Sequence, residues 1–258
     1  MQWKTLSLAR EGPVLRVWLD RPERRNALNT EALEEIAALF TSLQTDFQTR
    51  VVILGGRGAS FCAGVDRTDP PGHTRLVASS DATERERRYV SQIGLRACRA
   101  IEEVEAVTIA RVHGHAIGGG LALALACDFR IAAEGAVFHL PEVDLGIPLS
   151  WGATPRLIHE VGAARARELI LLCERIDGAQ ARDWGLVHRV VAAEKLDETV
   201  DAWTARIVAK PEIAVHMTKT QFRAYAYRAA LGDVTETDGD VLLAAARTAV
   251  ARASFSAK

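Results

Sequence analysis

The sequence predicts an α/β protein with a helical C-terminal part, on three observations. Short β-rich apolar runs alternate with a segment of helical periodicity in the first half of the chain. Two glycine-rich turns, around Gly64 and at Gly118-Gly119-Gly120, each follow such a run. From Trp151 onward nearly everything reads as helix.

Taken in order, Val14 to Leu19 (VLRVWL) is a strand, closed by the turn Asp20-Arg21-Pro22. Asn29 or Thr30 caps a helix with Glu31 in its first turn, and Leu33, Ile36, Ala37, Phe40 and Leu43 form its apolar stripe. Val51 to Leu54 (VVIL) is continuously apolar, as a strand covered on both faces should be, and Gly55-Gly56-Arg57-Gly58 ends it. Residues 66–80, with Pro70-Pro71-Gly72, read as irregular loop, and Glu84 to Arg88 begin a solvated helix. A second strand-to-helix unit runs from Val107 to Val112 through His113-Gly114-His115-Ala116-Ile117 into Leu121 to Ala126. Asp128 to Ala133 and Val137 to Leu140 are further short strands. Gly152, Gly162, Gly178, Gly185, Pro211 and Gly232 punctuate the helical remainder, which Val187 to Val191 alone interrupts as strand. The expected organisation is an α/β core over 1–195 and a helical region over 196–258 in the same subunit, not an independent domain.

Composition narrows the function classes. The chain has 258 residues, and its 32 basic and 33 acidic residues leave a net charge of -1, which argues against a dedicated nucleic-acid binder. Hydrophobic residues at 48% and charged residues at 25% match an ordinary globular protein with a sizeable core. No stretch approaches the ~20 apolar residues of a membrane helix, and the opening residues lack an apolar signal segment. Cys62, Cys98, Cys127 and Cys173 lie far apart without metal-ligand spacing, so reduced thiols and a cytoplasmic location are expected, with no metal site.

Three segments can carry chemistry. The first two are the turns Ala59 to Asp66 and Gly118 to Gly120; the triple glycine removes Cβ, so a ligand can come close to backbone N–H groups at a helix start, with tight packing as the competing reading. Neither fits a dinucleotide or phosphate-loop fingerprint. Glu142 follows a strand-like run among Leu140, Pro141 and Val143, and a desolvated carboxylate there would have its pKa raised toward the range of a general base. His113 and His115 lack the acids or cysteines that would complete a metal set.

These features in this order resemble the crotonase superfamily, the enoyl-CoA hydratases and isomerases. The resemblance rests on Arg21-Pro22 through Asn26-Ala27-Leu28-Asn29, Phe61 to Asp66, His113 to Gly120, Cys127-Asp128, Phe138 to Ile147, Arg156-Leu157, Val161-Gly162, Ala181 to Val187 and Thr218-Lys219. It implies a spiral core of ββα units, a helical C-terminal trimerisation region, an acyl-CoA thioester as substrate and a homotrimer or hexamer as assembly. It implies no separate cofactor, coenzyme A being part of the substrate, and no nucleic-acid or membrane partner. It assigns the N–H groups of Val65 and Gly119 to an oxyanion hole and Glu142 to catalysis. Arg25, Ala27, Ala63, Asp66, Gly118 and Ser150 fall at substrate-binding positions, with Arg21 and Arg24 beside them on the same loop. His139 reads as a satisfied histidine in preference to a residue lining the acyl pocket, and Trp151 as acyl-pocket wall or core.

One departure separates the family's reactions. Its hydratases grip a water with two glutamates, and the first of those positions is Ala122 here. A methyl group neither takes a proton nor orients water. Moving a double bond from C3 to C2 needs one base and an oxyanion hole, so isomerisation by Glu142 is the expected activity. A hydratase of low or unusual activity and a non-catalytic acyl-CoA binder are the alternatives. The tail Ala245 to Arg252 lacks the Phe-x-x-Lys-Arg segment with which the family contacts CoA.

Overall fold

A computed structural model describes residues 3–72, 81–229, 238–245 and 253. The chain opens with a hairpin, β1 (Leu6–Glu11) and β2 (Val14–Leu19), paired antiparallel from Leu6 against Leu19 to Glu11 against Val14. Helix α1 (Thr30–Leu43) follows, with Asn29 as its N-cap: the carboxamide oxygen accepts from Ala32 N at 3.0 Å. Strand β3 (Val51–Gly56) then lies parallel to β2. Helix α2 (Glu84–Ser91) starts at a capping box between Thr83 and Glu86, and α3 (Ile93–Glu103) continues from it.

Strand β4 (Val107–Val112), β5 (His115–Ile117) and helix α4 (Gly119–Leu125) form the next unit, followed by β6 (Phe129–Ala133) and β7 (Val137–His139). Helix α5 (Ala153–Leu172) is broken at Gly162, where φ is 75°. The remainder comprises β8 (Ile176–Asp177), α6 (Gly178–Asp183), β9 (Arg189–Val191), α7 (Leu196–Val208), α8 (Glu212–Ala229) and α9 (Asp238–Ala245). Six strands form one sheet in the order β1-β2-β3-β4-β6-β9, parallel apart from the opening hairpin. A small sheet, β5-β7-β8, stands beside it.

Strand periodicity decides what covers each face. Val52 and Leu54 of β3 join Leu15, Val17, Ala110 and the helices α1, α3 and α4 in the larger core. Val51 and Ile53 face the other way and pack with Ile109, Ile131, Leu196 and Val200, so α7 closes the second face. A strand buried on both sides has no polar alternation, which is why VVIL reads as an unbroken apolar run. Helix α8 is tied down by Lys219, whose ammonium donates to Ala106 O and pairs with Asp128, each at 2.8 Å. Helix α9 lies against α2 through an Arg88–Asp240 ion pair at 2.9 Å. Among the described residues no helix is long and apolar enough to cross a membrane, and no group of three His, Cys, Asp or Glu side chains could hold a metal ion.

The structure adds strands that the chain's pattern does not announce. β1 exposes most of its residues and so lacks an apolar stripe, and β5 and β8 are only three and two residues long. The expected strand over Val187 to Val191 is shorter, because Leu186 and Val187 close a turn onto Ala181 O. Gly232, loop residues 73–80 and tail residues 246–252 lie outside the described residues.

Candidate active site

The first turn is built on Asn26, a buried residue with φ 57°. Its amide group donates to Arg57 O at 2.9 Å and Ser60 O at 2.8 Å, while its carbonyl oxygen accepts from Arg21 N at 2.9 Å. The segment it holds then runs as extended chain between two neighbours. On one side Leu28 N donates to Gly64 O at 2.7 Å and Asp66 N to Leu28 O at 2.8 Å. Gly64 has φ 92°, and a Cβ there would stand 2.9 Å from Ile117 O. Val65 lies between the two bonded positions, so its own N–H points away from Leu28. Among the described residues no acceptor meets it.

On the other side this segment pairs with the approach to the triple glycine. Cys62 N donates to His115 O at 2.8 Å and Ile117 N to Cys62 O at 3.1 Å, making a parallel bridge between Cys62 and Ala116. Val65 and Gly119 therefore stand at the same offset from one bridge, on neighbouring segments. Gly118 turns the chain with φ 48° and ψ -117°, a conformation that glycine alone adopts without strain. Its N–H donates to His139 O at 2.8 Å. Gly119 opens α4, where the N–H has no partner within the helix, and among the described residues none outside it.

Glu142 reaches the same place from β7. The turn after Pro141 is closed by Leu145 N at 3.1 Å and Ile147 N at 3.0 Å, both donating to Glu142 O. Its carboxylate hangs over the glycines: Oε1 lies 2.7 Å from where a Cβ on Gly118 would be, and Oε2 is buried with no hydrogen-bond partner. Burial pushes the carboxyl up to about 7, its own backbone N–H opposing only weakly. An unpartnered buried acceptor costs stability, which marks it as a group kept for use. Ala122, one turn into α4 with its N–H on Gly118 O at 3.0 Å, is buried, while Asp144 is exposed. The geometry thus brings together two N–H donors free among the described residues and one desolvated carboxylate, with a methyl side chain at Ala122, two residues after the glycines.

The other expected site residues have more varied surroundings. The Arg21 guanidinium is held inside the loop by Ala27 O and by Asp66, the latter at 2.9 Å. Asp66 is itself buried; burial raises its carboxyl, but the Thr68 hydroxyl and N–H together with Arg21 outweigh this and hold it below the usual range. Arg21 and the Asp66 carboxylate are therefore struts of the first turn. Arg24 and Arg25 are exposed, and Arg25 (φ 50°) offers its carbonyl to Ala63 N at 3.0 Å. Ala27 and Ala63 are partly buried on the same loop pair, and Ser150 partly buried beside Trp151. His113, His115 and His139 are bonded to Gly58 O, Ser60 Oγ and Cys173 O at 2.8, 2.9 and 2.8 Å. All four cysteines are buried and unpaired, and burial pushes the thiols of Cys62, Cys98 and Cys127 up to about 12.

One neighbour of the site makes contacts that no local sequence pattern announces. The Trp151 ring packs against Gly119, and against Gly94 of α3, 57 positions earlier in the chain. The sequence reading of Trp151 as pocket wall or core agrees with its burial in the core but does not give its partners: the two glycines are set by tertiary packing.

Comparison with known proteins agrees with the geometry. The family model described as enoyl-CoA hydratase/isomerase matches residues 9–257. The chain is 36% identical over 220 residues to a crotonyl-CoA hydratase of Syntrophomonas wolfei, covering 85% of this chain and 81% of that protein. It is 35% identical over 225 residues to a peroxisomal Delta(3,5)-Delta(2,4)-dienoyl-CoA isomerase of Arabidopsis thaliana, covering 84% and 81%. The crystal structure of an enoyl-CoA hydratase from Mycobacterium avium subsp. paratuberculosis superposes with a TM-score of 0.85 at 28% identity, covering 98% of each chain. The chain belongs to the enoyl-CoA hydratase/isomerase family and has its crotonase-type α/β fold.

Proposed function

We propose that the protein moves the double bond of an enoyl-CoA thioester from C3 to C2, with Glu142 as the only acid–base group. The thioester oxygen accepts from the N–H groups of Val65 and Gly119. The ionised Glu142 carboxylate removes a proton from C2, and the electron pair spreads into a dienolate whose oxygen charge those donors meet. The carboxylic acid so formed returns the proton at C4, and the carbonyl re-forms with the double bond at C2. Proton removal from a thioester is otherwise too unfavourable, and a single oxyanion donor typically contributes ~10²–10³ in rate. The exposed Arg24 and Arg25 are suited to the CoA phosphates. Ile213 and Met217, exposed four residues apart on one face of α8, are suited to contact with a second copy of the chain.

The observation that carries this reading is the buried Glu142 Oε2, without a hydrogen-bond partner among the described residues, together with a methyl side chain at Ala122. The name of the crotonyl-CoA hydratase relative favours hydration as the second reading. Giving the purified protein 3-enoyl-CoA and, separately, 2-enoyl-CoA decides between them. Isomerisation predicts at least tenfold higher kcat/KM on the 3-enoyl substrate than for hydration of the 2-enoyl one. Faster formation of the 3-hydroxy product overturns it, and turnover of neither makes the protein an acyl-CoA binder.

A further inference from the structure

Trp151 stands in the left-handed region of backbone space with φ 60°, which bulky L-residues rarely adopt. The turn is held there from three sides. Gly152 N donates to the Asp238 carboxylate of α9 at 2.6 Å. Arg156 donates to Trp151 O at 2.9 Å and to Glu102 of α3 at 2.7 Å. The indole that this backbone presents lies between two glycines: a Cβ on Gly119 would fall 2.3 Å from its Cζ3, and one on Gly94 would fall 2.0 Å from its Cε2. Neither position accepts any larger residue while the ring stays in place.

The location matters because Gly118 and Gly119 are adjacent. The Glu142 carboxylate meets the Cβ position of Gly118 and the buried indole that of Gly119, on adjacent residues whose α-carbons are ~3.8 Å apart. An acyl group whose carbonyl oxygen accepts from Gly119 N–H and whose C2 meets Glu142 runs past the indole within its first few carbons. We propose that Trp151 is the specificity-determining residue of this site, its indole restricting the acyl group to short chains. Strain concentrated at such a position is typical of a functional site. The proposal rests on the reading of Val65, Gly119 and Glu142 as an acyl-CoA site, and its test separates the two.

Calorimetric binding of butanoyl-CoA and octanoyl-CoA, which need no turnover, is measured for the wild type and for Trp151→Ala. Removing the indole is expected to shift the octanoyl-to-butanoyl affinity ratio at least tenfold toward the longer chain, with a matching shift in kcat/KM along a series of enoyl-CoA lengths. An unchanged ratio in a folded variant overturns the proposal. If Trp151→Ala does not fold, Trp151→Leu keeps an apolar side chain and carries the same expectation at several-fold, with an unchanged ratio again overturning it. A wild type that binds these thioesters but converts no enoyl-CoA defeats the catalytic reading alone, because the ratio still decides the role of Trp151. A wild type that binds neither thioester defeats both.

Discussion

Glu142 combines two properties that oppose each other energetically. Its carboxylate is desolvated and, among the described residues, Oε2 has no hydrogen-bond partner, which destabilises the ionised form, and that same penalty brings its pKa to about 7, where a base is most effective. For the free enzyme, kcat/KM should therefore rise with pH and level off above an apparent pKa near 7; a profile flat from pH 5 to 9 would contradict this. Stability should run the other way. The folded pKa exceeds the ordinary carboxyl value of 4.5, so the stabilisation is complete below about 4.5 and lost as pH rises through about 7. Glu142→Gln removes the titration. Its unfolding temperature should exceed the wild type's at pH 8, by the equivalent of up to about 3 kcal/mol, with the margin closing near pH 4.5. A margin that does not vary with pH would count against the burial argument. At the neighbouring position, Ala122→Glu restores a second carboxylate and should raise hydration of 2-enoyl-CoA; no gain from a folded variant would sink the two-carboxylate explanation.

At the scale of elements, the site depends on how two turns are joined. The bridge between Cys62 and Ala116 aligns them, and Gly118 brings the second turn under the carboxylate. Gly118→Ala places a methyl at φ 48° and 2.7 Å from Oε1, so it should displace the carboxylate and lower kcat at least tenfold, roughly the effect of 1–3 kcal/mol of local strain. Steady-state kinetics with the folded variant checks this. What could be read beforehand followed from locality. The strands over Val14–Leu19 and Val107–Val112 and the cap at Asn29 depend on adjacent residues, and the structure returns them at or within a residue of the expected positions. The contacts of Trp151 with Gly94 and of Arg21 with Asp66 are set by tertiary packing, so no local pattern announces them. β1 was hidden for a different reason: its last four residues are exposed whatever their polarity, so no apolar face is repeated along it.

Across the whole molecule, the sheet is closed by α1, α3 and α4 on one face and α7 on the other, and α8 is fastened by Lys219. Lys219→Met leaves Ala106 O and Asp128 without their cation. It should lower unfolding stability by about 1–3 kcal/mol in denaturant titrations, with activity per folded molecule unchanged. Stability equal to the wild type's would mean that α8 is held by other contacts. On the proposed reading, a net charge of -1 is compatible with a polyanionic thioester because the loop presents exposed Arg24 and Arg25 beside a single exposed acid, Glu23. The central claim is that one carboxylate carries the proton. The most direct measurement is the isomerisation rate of Glu142→Gln on 3-enoyl-CoA, taken beside its affinity for a saturated acyl-CoA. The account predicts a fall of ~10²–10⁴ in kcat with affinity retained within a few-fold. A variant that keeps its rate to within tenfold of the wild type would contradict it.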